Sequence, residues 1–342
     1  MKANALSLLR FFLAIVVFFS HYHQLTGFHL FPFFETYAPS NLAVNCFFVL
    51  SGFLMPQSFQ RSATSIAFYQ KRFLRIYISY FIVVVGIAFV AFAFSGCDLQ
   101  EYFSTQWLRY MLFNILTLNF LQPDLSCLFQ THLYTAVNGS LWSIKVELMF
   151  YIIVPLLYFV GVKAGRYKMK LLFGMLIIAL LVNYLCYALY DRTHSPLWFA
   201  LLNQLPAKFC FFMAGWLLYE LIHLQSKFVR LLPVLYILAF VVYLFRIPHP
   251  IIMELPIGLA LVHVFYQMSI SKGQILAEHL GGVSYPLYLL HFPVIQFYVA
   301  CGEAPTAIGL MLLFVIVLVL SYFLYLAESK VLQYVRAKYK IH

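Results

Sequence analysis

The sequence predicts an all-α, polytopic integral membrane helical bundle, with about ten transmembrane helices and a short re-entrant or interfacial helix at 107–121. Three observations carry that expectation. The first is composition: of 342 residues, 64% are hydrophobic and 10% charged. A soluble chain of this length carries roughly 85 charged residues; 22 Lys/Arg and 11 Asp/Glu leave too little polar material to cover an exterior. The second is spacing. No Asp, Glu, Lys or Arg occurs in 11–34, 36–60, 76–97, 171–190, 279–302 or 304–327, and each interval can hold a bilayer crossing. The third is the distribution of positive charge, described below. The same composition excludes a disordered chain, a coiled coil and a secreted disulfide scaffold.

Span 1, about 5–23, begins like a signal peptide with Lys2 ahead of an apolar stretch. It ends in His21-Tyr22-His23 rather than in small residues, so an uncleaved first span is expected. Further spans follow at about 41–59, 76–95, 140–161, 171–190, 204–224, 231–245, 251–270, 284–301 and 306–327. With the N-terminus in the cytoplasm and ten alternating spans, 17 of the 22 Lys/Arg fall in cytoplasmic segments or at nearby span ends. These are Lys2, Arg10, Arg61, Lys71, Arg72, Arg75, Lys163, Arg166, Lys168, Lys170, Lys227, Arg230, Lys272, Lys330, Arg336, Lys338 and Lys340. The outer loops hold Glu35, Asp98, Glu101, Asp124, Asp191 and Glu303 against Arg192, with Arg109 and Arg246 as borderline cations. This is a positive-inside pattern with both termini inside. It accounts for the net charge of +11 without a nucleic-acid partner. The apolar run 107–121 is short and carries Arg109; were it to cross, the basic 163–170 loop would move outside, so it belongs on the outer face. Eleven spans is the alternative.

No polar interval is long enough for a separate soluble domain, and no internal repeat is visible, so residues 1–342 read as a single transmembrane domain. Cys46, Cys186 and Cys210 lie in apolar runs and read as packing. Cys97 and Cys127 fall in outer loops, where an oxidising compartment would permit a bridge; a free pair is the expectation.

A charge in hydrocarbon costs several kcal/mol, so ionisable groups inside spans are functional candidates. They are Arg10, His21 and His23 on span 1, Lys145 and Glu147 on span 4, Lys208 and Glu220 on span 6, His263 on span 8 and His291 on span 9. Arg10 and His21 are eleven residues apart, about three helical turns, which puts a cation near one mouth and an imidazole near the other on one face. Glu147 lies at a depth similar to His21, so a carboxylate could pair with the imidazole and raise its basicity, as for a general base. The competing reading has Arg10 snorkelling to headgroups and His21 marking the end of the span. Lys71, Arg72 and Arg75, on a short helix between spans 2 and 3, form a cationic cluster suited to phosphates, or serve only as a topology determinant. Tyr288 and His291 are three apart and share a face, as expected for a helix–helix hydrogen bond or a site contact. Lys208 and Glu220 read as interfacial, and His263 has no assigned role.

Arg10 and His21 form an R-x10-H pattern. They are followed in order by Cys46-Phe47-Phe48-Val49-Leu50-Ser51-Gly52-Phe53, Lys71-Arg72-Phe73-Leu74-Arg75, Ser140-Leu141-Trp142-Ser143-Ile144-Lys145-Val146-Glu147 and Ser284-Tyr285-Pro286-Leu287-Tyr288-Leu289-Leu290-His291. Together these motifs resemble the acyltransferase family 3 membrane proteins of bacteria, over nearly the whole chain. The resemblance implies an enzyme of the plasma (inner) membrane that moves an acyl group, usually acetyl, from cytoplasmic acetyl-CoA to a hydroxyl of a cell-surface or lipid-linked saccharide. It implies acetyl-CoA as co-substrate, no metal, and the stand-alone form without the fused esterase-like domain of some relatives. Residue by residue, His21 is implied as catalytic and Arg10 as essential, with Glu147 beside them. Arg72 and Arg75, and with them Lys71, are implied on the donor side, and Trp142, Ser143, Tyr288 and His291 as substrate contacts. Lys145 and Leu148-Met149 depart from the family's more common V-E-E-Q-F-Y continuation.

Two other classes fit a polytopic chain without a soluble domain. A transporter or lipid-linked-sugar flippase would carry inverted repeats or matching broken helices, which are not seen. A non-catalytic subunit of a glycan-assembly complex would tolerate substitution at the site residues. The acceptor sugar, the acyl length and the oligomeric state are not encoded in any motif.

Overall fold

The computed structural model describes residues 5–29, 32–244, 249–268, 274–302 and 304–339. Its helices in chain order are α1 (Leu6–Thr26), α2 (Pro32–Thr36), α3 (Ser40–Gln60), α4 (Ser65–Val90), α5 (Leu99–Tyr102), α6 (Thr105–Ile115), α7 (Trp142–Ala164), α8 (Lys168–Thr193), α9 (Pro196–Leu202), α10 (Leu205–His223), α11 (Leu232–Leu244), α12 (Pro250–Gln267), α13 (Gln274–Ala300) and α14 (Ala307–Tyr339). No strand occurs among the described residues. Each expected span has a helix. Among the described residues six apolar stretches are long enough to cross a membrane, one of them containing both α7 and α8, while Ile251–Gln267 is shorter. The chain is an all-α, multi-pass membrane protein. Of the charges used in the topology argument, Lys2, Arg246, Lys272, Glu303 and Lys340 lie outside the described residues.

The apolar run at 107–121 forms the 11-residue α6 and a 3-10 turn at Asn119–Leu121. A helix of that length rises about 16 Å, half a hydrocarbon core. Two expectations are corrected. Lys71, Arg72 and Arg75 do not sit on a separate short helix but inside the 26-residue α4. No glycine or proline interrupts 65–85, so nothing in the sequence breaks the helix between the basic segment and the apolar one. Cys97 and Cys127 are joined in a disulfide, Cα atoms 6.2 Å apart, rather than free. Positive φ at Gly96 and Cys127 turns the chain so that the two loops meet.

α14 shows how a bilayer inverts the usual pattern. Ile308, Leu312, Val315, Val319 and Phe323 are exposed, while Leu310, Leu313, Val317, Ser321, Leu324 and Glu328 are buried. Apolar residues face outward at helical spacing and the polar ones turn in, as lipid requires.

The chain comprises two compact units. The first contains Met1–Leu9, Asn41–Gln70 and Val146–Gln274. Within it α3 and α10 cross on glycine: a side chain at Gly52 would strike the Phe212 carbonyl, and one at Gly215 the Val49 carbonyl. Small residues let the two backbones touch where no hydrophobic effect is available to drive association. The second unit contains Arg10–Ser40, Lys71–Lys145 and Ile275–His342. Around its disulfide, Tyr102, Tyr110, Leu125, Leu128 and Val137 form a satellite core. Tyr102 donates to the Ala88 carbonyl (2.8 Å) and Tyr80 to the Asn114 carbonyl (2.7 Å), tying the loop and α6 to α4.

Thiol alkylation of the folded protein is expected to modify the exposed Cys301 and to reach Cys97 and Cys127 only after reduction. Peptide mass spectrometry with and without reductant checks this. Gly215→Leu is expected to prevent assembly of the α3–α10 crossing, seen as loss of a monodisperse species in detergent.

Candidate active site

Nine of the ten expected site residues, Arg10, His21, Lys71, Arg72, Arg75, Trp142, Ser143, Tyr288 and His291, belong to the second unit; Glu147 belongs to the first. Two of the nine are imidazoles bonded to each other. His21 Nδ1 lies 2.8 Å from His291 Nε2, with ring planes 8° apart and centroids at 5.0 Å. His291 is fully buried and His21 half-buried. Phe292 stands edge-on to His21 at 5.5 Å.

The bonds determine the protons. His291 Nδ1 is 3.3 Å from the Leu287 carbonyl, which can only accept, so Nδ1 carries the hydrogen. A neutral His291 then offers Nε2 as acceptor, and His21 Nδ1 must donate to it. Nε2 of His21 is left as the nitrogen with a lone pair. The tautomer that a general base needs is therefore assigned by the network, two bonds back to a backbone carbonyl. His291, expected as a substrate contact, thus occupies the position on the His21 ring that sequence reasoning gave to Glu147. Glu147 accepts from Ser51 Oγ at 2.7 Å, within the first unit.

α13 can carry His291 at this point because another segment satisfies the carbonyl that Pro293 leaves open. Pro293 has no N–H for the carbonyl of Leu289. Asn138 Nδ2 supplies that bond at 2.9 Å. Asn138 Oδ1 meanwhile accepts from the Ser140 N–H (3.2 Å) and Oγ (2.7 Å), capping the 3-10 turn that leads into α7. Gly139 lies against the ring of Phe292, where a Cβ would strike Cζ at 2.7 Å. Further along α13, the buried Gln296 donates to the carbonyls of Tyr134 (2.6 Å) and Ala136 (2.9 Å) and bonds His132 through Oε1 (2.9 Å). The loop before α7 is thus latched to the helix bearing His291.

The same turn brings Ser143 to Tyr288. Their hydroxyls are 2.6 Å apart, both buried, and both reach the Ser140 carbonyl, at 3.0 and 3.2 Å. Tyr288 lies 5.6 Å from the His291 ring, centroid to centroid. Trp142, the first residue of α7, is half-buried. Lys145 stands over the Phe120 ring at 4.0 Å. On α4, Lys71 and Arg72 are half-buried and Arg75 is exposed.

A family model described as an acyltransferase domain matches residues 4–326. The chain belongs to this acyltransferase family. It is 31% identical over 157 residues to an "O-acetyl transferase" of Shigella phage Sf6, covering 44% of this chain and 45% of that protein. It is also 31% identical over 169 residues to "Nodulation protein 10" of Rhizobium leguminosarum bv. viciae, covering 45% and 44%. The chain thus spans a little under half the length of the curated relatives it matches. No solved structure matches it.

Sequence reasoning missed several polar groups of this chain. Asn138 and Gln296 were not among the candidates; the signal for Asn138 was Pro293, which leaves a carbonyl of its own helix without a donor. Glu254 stood in plain view inside the apolar run 251–270 and accepts from Asn45 Nδ2. Lys208, expected to be interfacial, is buried and within electrostatic reach of Glu254. Glu220, likewise expected at an interface, is buried in an ion pair with Lys168 at 2.7 Å. His263 bonds Tyr236 and Gln267, at 3.1 and 2.7 Å. Cys97, Glu101 and Cys127 are clustered closely enough to hold a metal, but the two sulfurs are bonded to each other and offer no thiolate.

Asn138→Leu keeps the size of the side chain and leaves the Leu289 carbonyl without its donor. The expected loss is about 1–3 kcal/mol, read as a lower unfolding midpoint in detergent.

Proposed function

We propose that this chain is a membrane-bound O-acyltransferase of the bacterial plasma membrane, moving an acyl group, acetyl first among candidates, from cytoplasmic acyl-CoA to a hydroxyl of a cell-surface or lipid-linked saccharide. The observation that carries the proposal is the hydrogen-bonded chain from Leu287 through His291 to His21, which leaves a lone pair on His21 Nε2. Family membership and the phage relative named an O-acetyl transferase support acyl transfer; the donor and the acceptor come from the motif resemblance and from the charges on α4.

In this reading Nε2 of His21 removes the proton of the acceptor hydroxyl as its oxygen attacks the thioester carbonyl. The C–S bond breaks, and the thiolate leaves and takes up a proton, so the reaction as a whole releases none. The positive charge that develops on His21 strengthens its Nδ1–H bond to His291, and the Leu287 carbonyl dipole steadies that ring in turn. Arg10, on the same helix, is a cation for the donor arm or the developing oxyanion. Ser143 and Tyr288 supply hydroxyls to the substrate side, and Trp142 an aromatic contact. Lys71, Arg72 and Arg75 would meet the donor's phosphates. The Cys97–Cys127 disulfide supports the orientation, because such a bridge persists in an oxidising compartment, outside the cytoplasm. α4 then begins inside, with its cations.

Vesicles containing only this protein, given labelled acetyl-CoA and glycan from a producing cell, test the proposal. His21→Ala is expected to abolish transfer while inserting normally. His291→Gln is expected to lower kcat about 10²–10⁴-fold with little change in the donor KM. Unaltered transfer by inserted His21→Ala would reject the mechanism, and wild-type vesicles that move sugar without acylating it would favour a transporter.

A further inference from the structure

α14 carries one carboxylate into its buried face. Glu328 is 8% exposed and accepts a 2.6 Å hydrogen bond from Ser79 Oγ, itself fully buried on α4. A carboxylate among apolar side chains is unfavourable unless a cation answers it. The cation that α4 places nearest to Ser79 is Arg75. Arg75 precedes Ser79 by four residues, one turn along the same face of α4, and Lys71 precedes Arg75 by four more. Cation, cation and hydroxyl therefore line one stripe of α4, and Glu328 stands at its buried end while Arg75 stays exposed.

A stem with so many rotamers, on a helix surface, is poorly directed by itself. Its guanidinium gains a defined bearing when a fixed carboxylate lies at one side. We propose that Glu328, held by Ser79, is a positioning residue that aims Arg75 at an anionic group of the substrate, the phosphates of the acyl donor. The inference rests on the acyl-CoA reading above and adds to it a function for a helix that the sequence motifs leave unassigned.

The test compares acetyl-CoA with acetyl-pantetheine, which carries the thioester but no phosphate, using the full chain in vesicles. Glu328→Gln preserves shape and an acceptor for Ser79 while removing the charge. It is expected to raise the KM for acetyl-CoA about tenfold, the size of one charge-assisted hydrogen bond. Its kcat should stay within about twofold of wild type, and acetyl-pantetheine kinetics should not change. Adding Glu328→Gln to Arg75→Gln should cost nothing further, because the two act as one unit. Ser79→Ala should move the acetyl-CoA KM in the same direction by less. An unchanged acetyl-CoA KM in Glu328→Gln overturns the proposal, as does an equal rise for both donors, which marks general damage. A wild-type enzyme indifferent to the phosphates overturns the donor reading itself, and this inference with it.

Discussion

A hydrocarbon core offers no water, so each polar atom placed in it must be answered by another part of the chain. Almost every informative feature of this protein follows from that requirement. His291 needs a partner for each nitrogen and finds the Leu287 carbonyl on one side and His21 on the other. Leu289 loses its donor to Pro293 and takes one from Asn138. Glu328 receives a hydroxyl from Ser79, and Glu147 one from Ser51. The chemistry of the site is a product of this accounting: satisfying His291 leaves His21 with one nitrogen protonated and the other basic.

Much of the fold was legible because the bilayer writes it in one dimension. Charge-free runs mark the apolar helices that the structure contains. The same signal singled out 107–121, whose helix is indeed only one-third the length of α14, 11 residues against 33. Boundaries were less legible. α4 absorbs the basic segment ahead of its apolar run, and α14 continues through Lys330 to Tyr339, because a helix that leaves the membrane keeps its hydrogen bonds in water and only its side chains change character. The disulfide was not legible, since two cysteines thirty residues apart say nothing of whether the loops between them fold back.

What the sequence offered for the site was a set of candidates, and not their pairings. Arg10, His21, Tyr288 and His291 stood out as polar residues inside spans, and nine of the ten expected residues gather in one unit. That His21 bonds His291 rather than a carboxylate could not be read from depth along a helix, because depth fixes one coordinate and rotation about the axis fixes the other. Asn138, Gln296, Ser79 and Glu328 carried no pattern of their own; their importance lies in distant carbonyls and charges that become neighbours only after folding.

The open carbonyl of Leu289 bears on how such a chain is made. Its donor, Asn138, is translated 151 residues earlier. The residue that answers the carbonyl is thus made before the helix that bears it, and α13 finds its donor on a segment already synthesised. Order of synthesis thus matches order of need: the loop comes first, and docking of the later helix closes its backbone and seats the imidazole in one step.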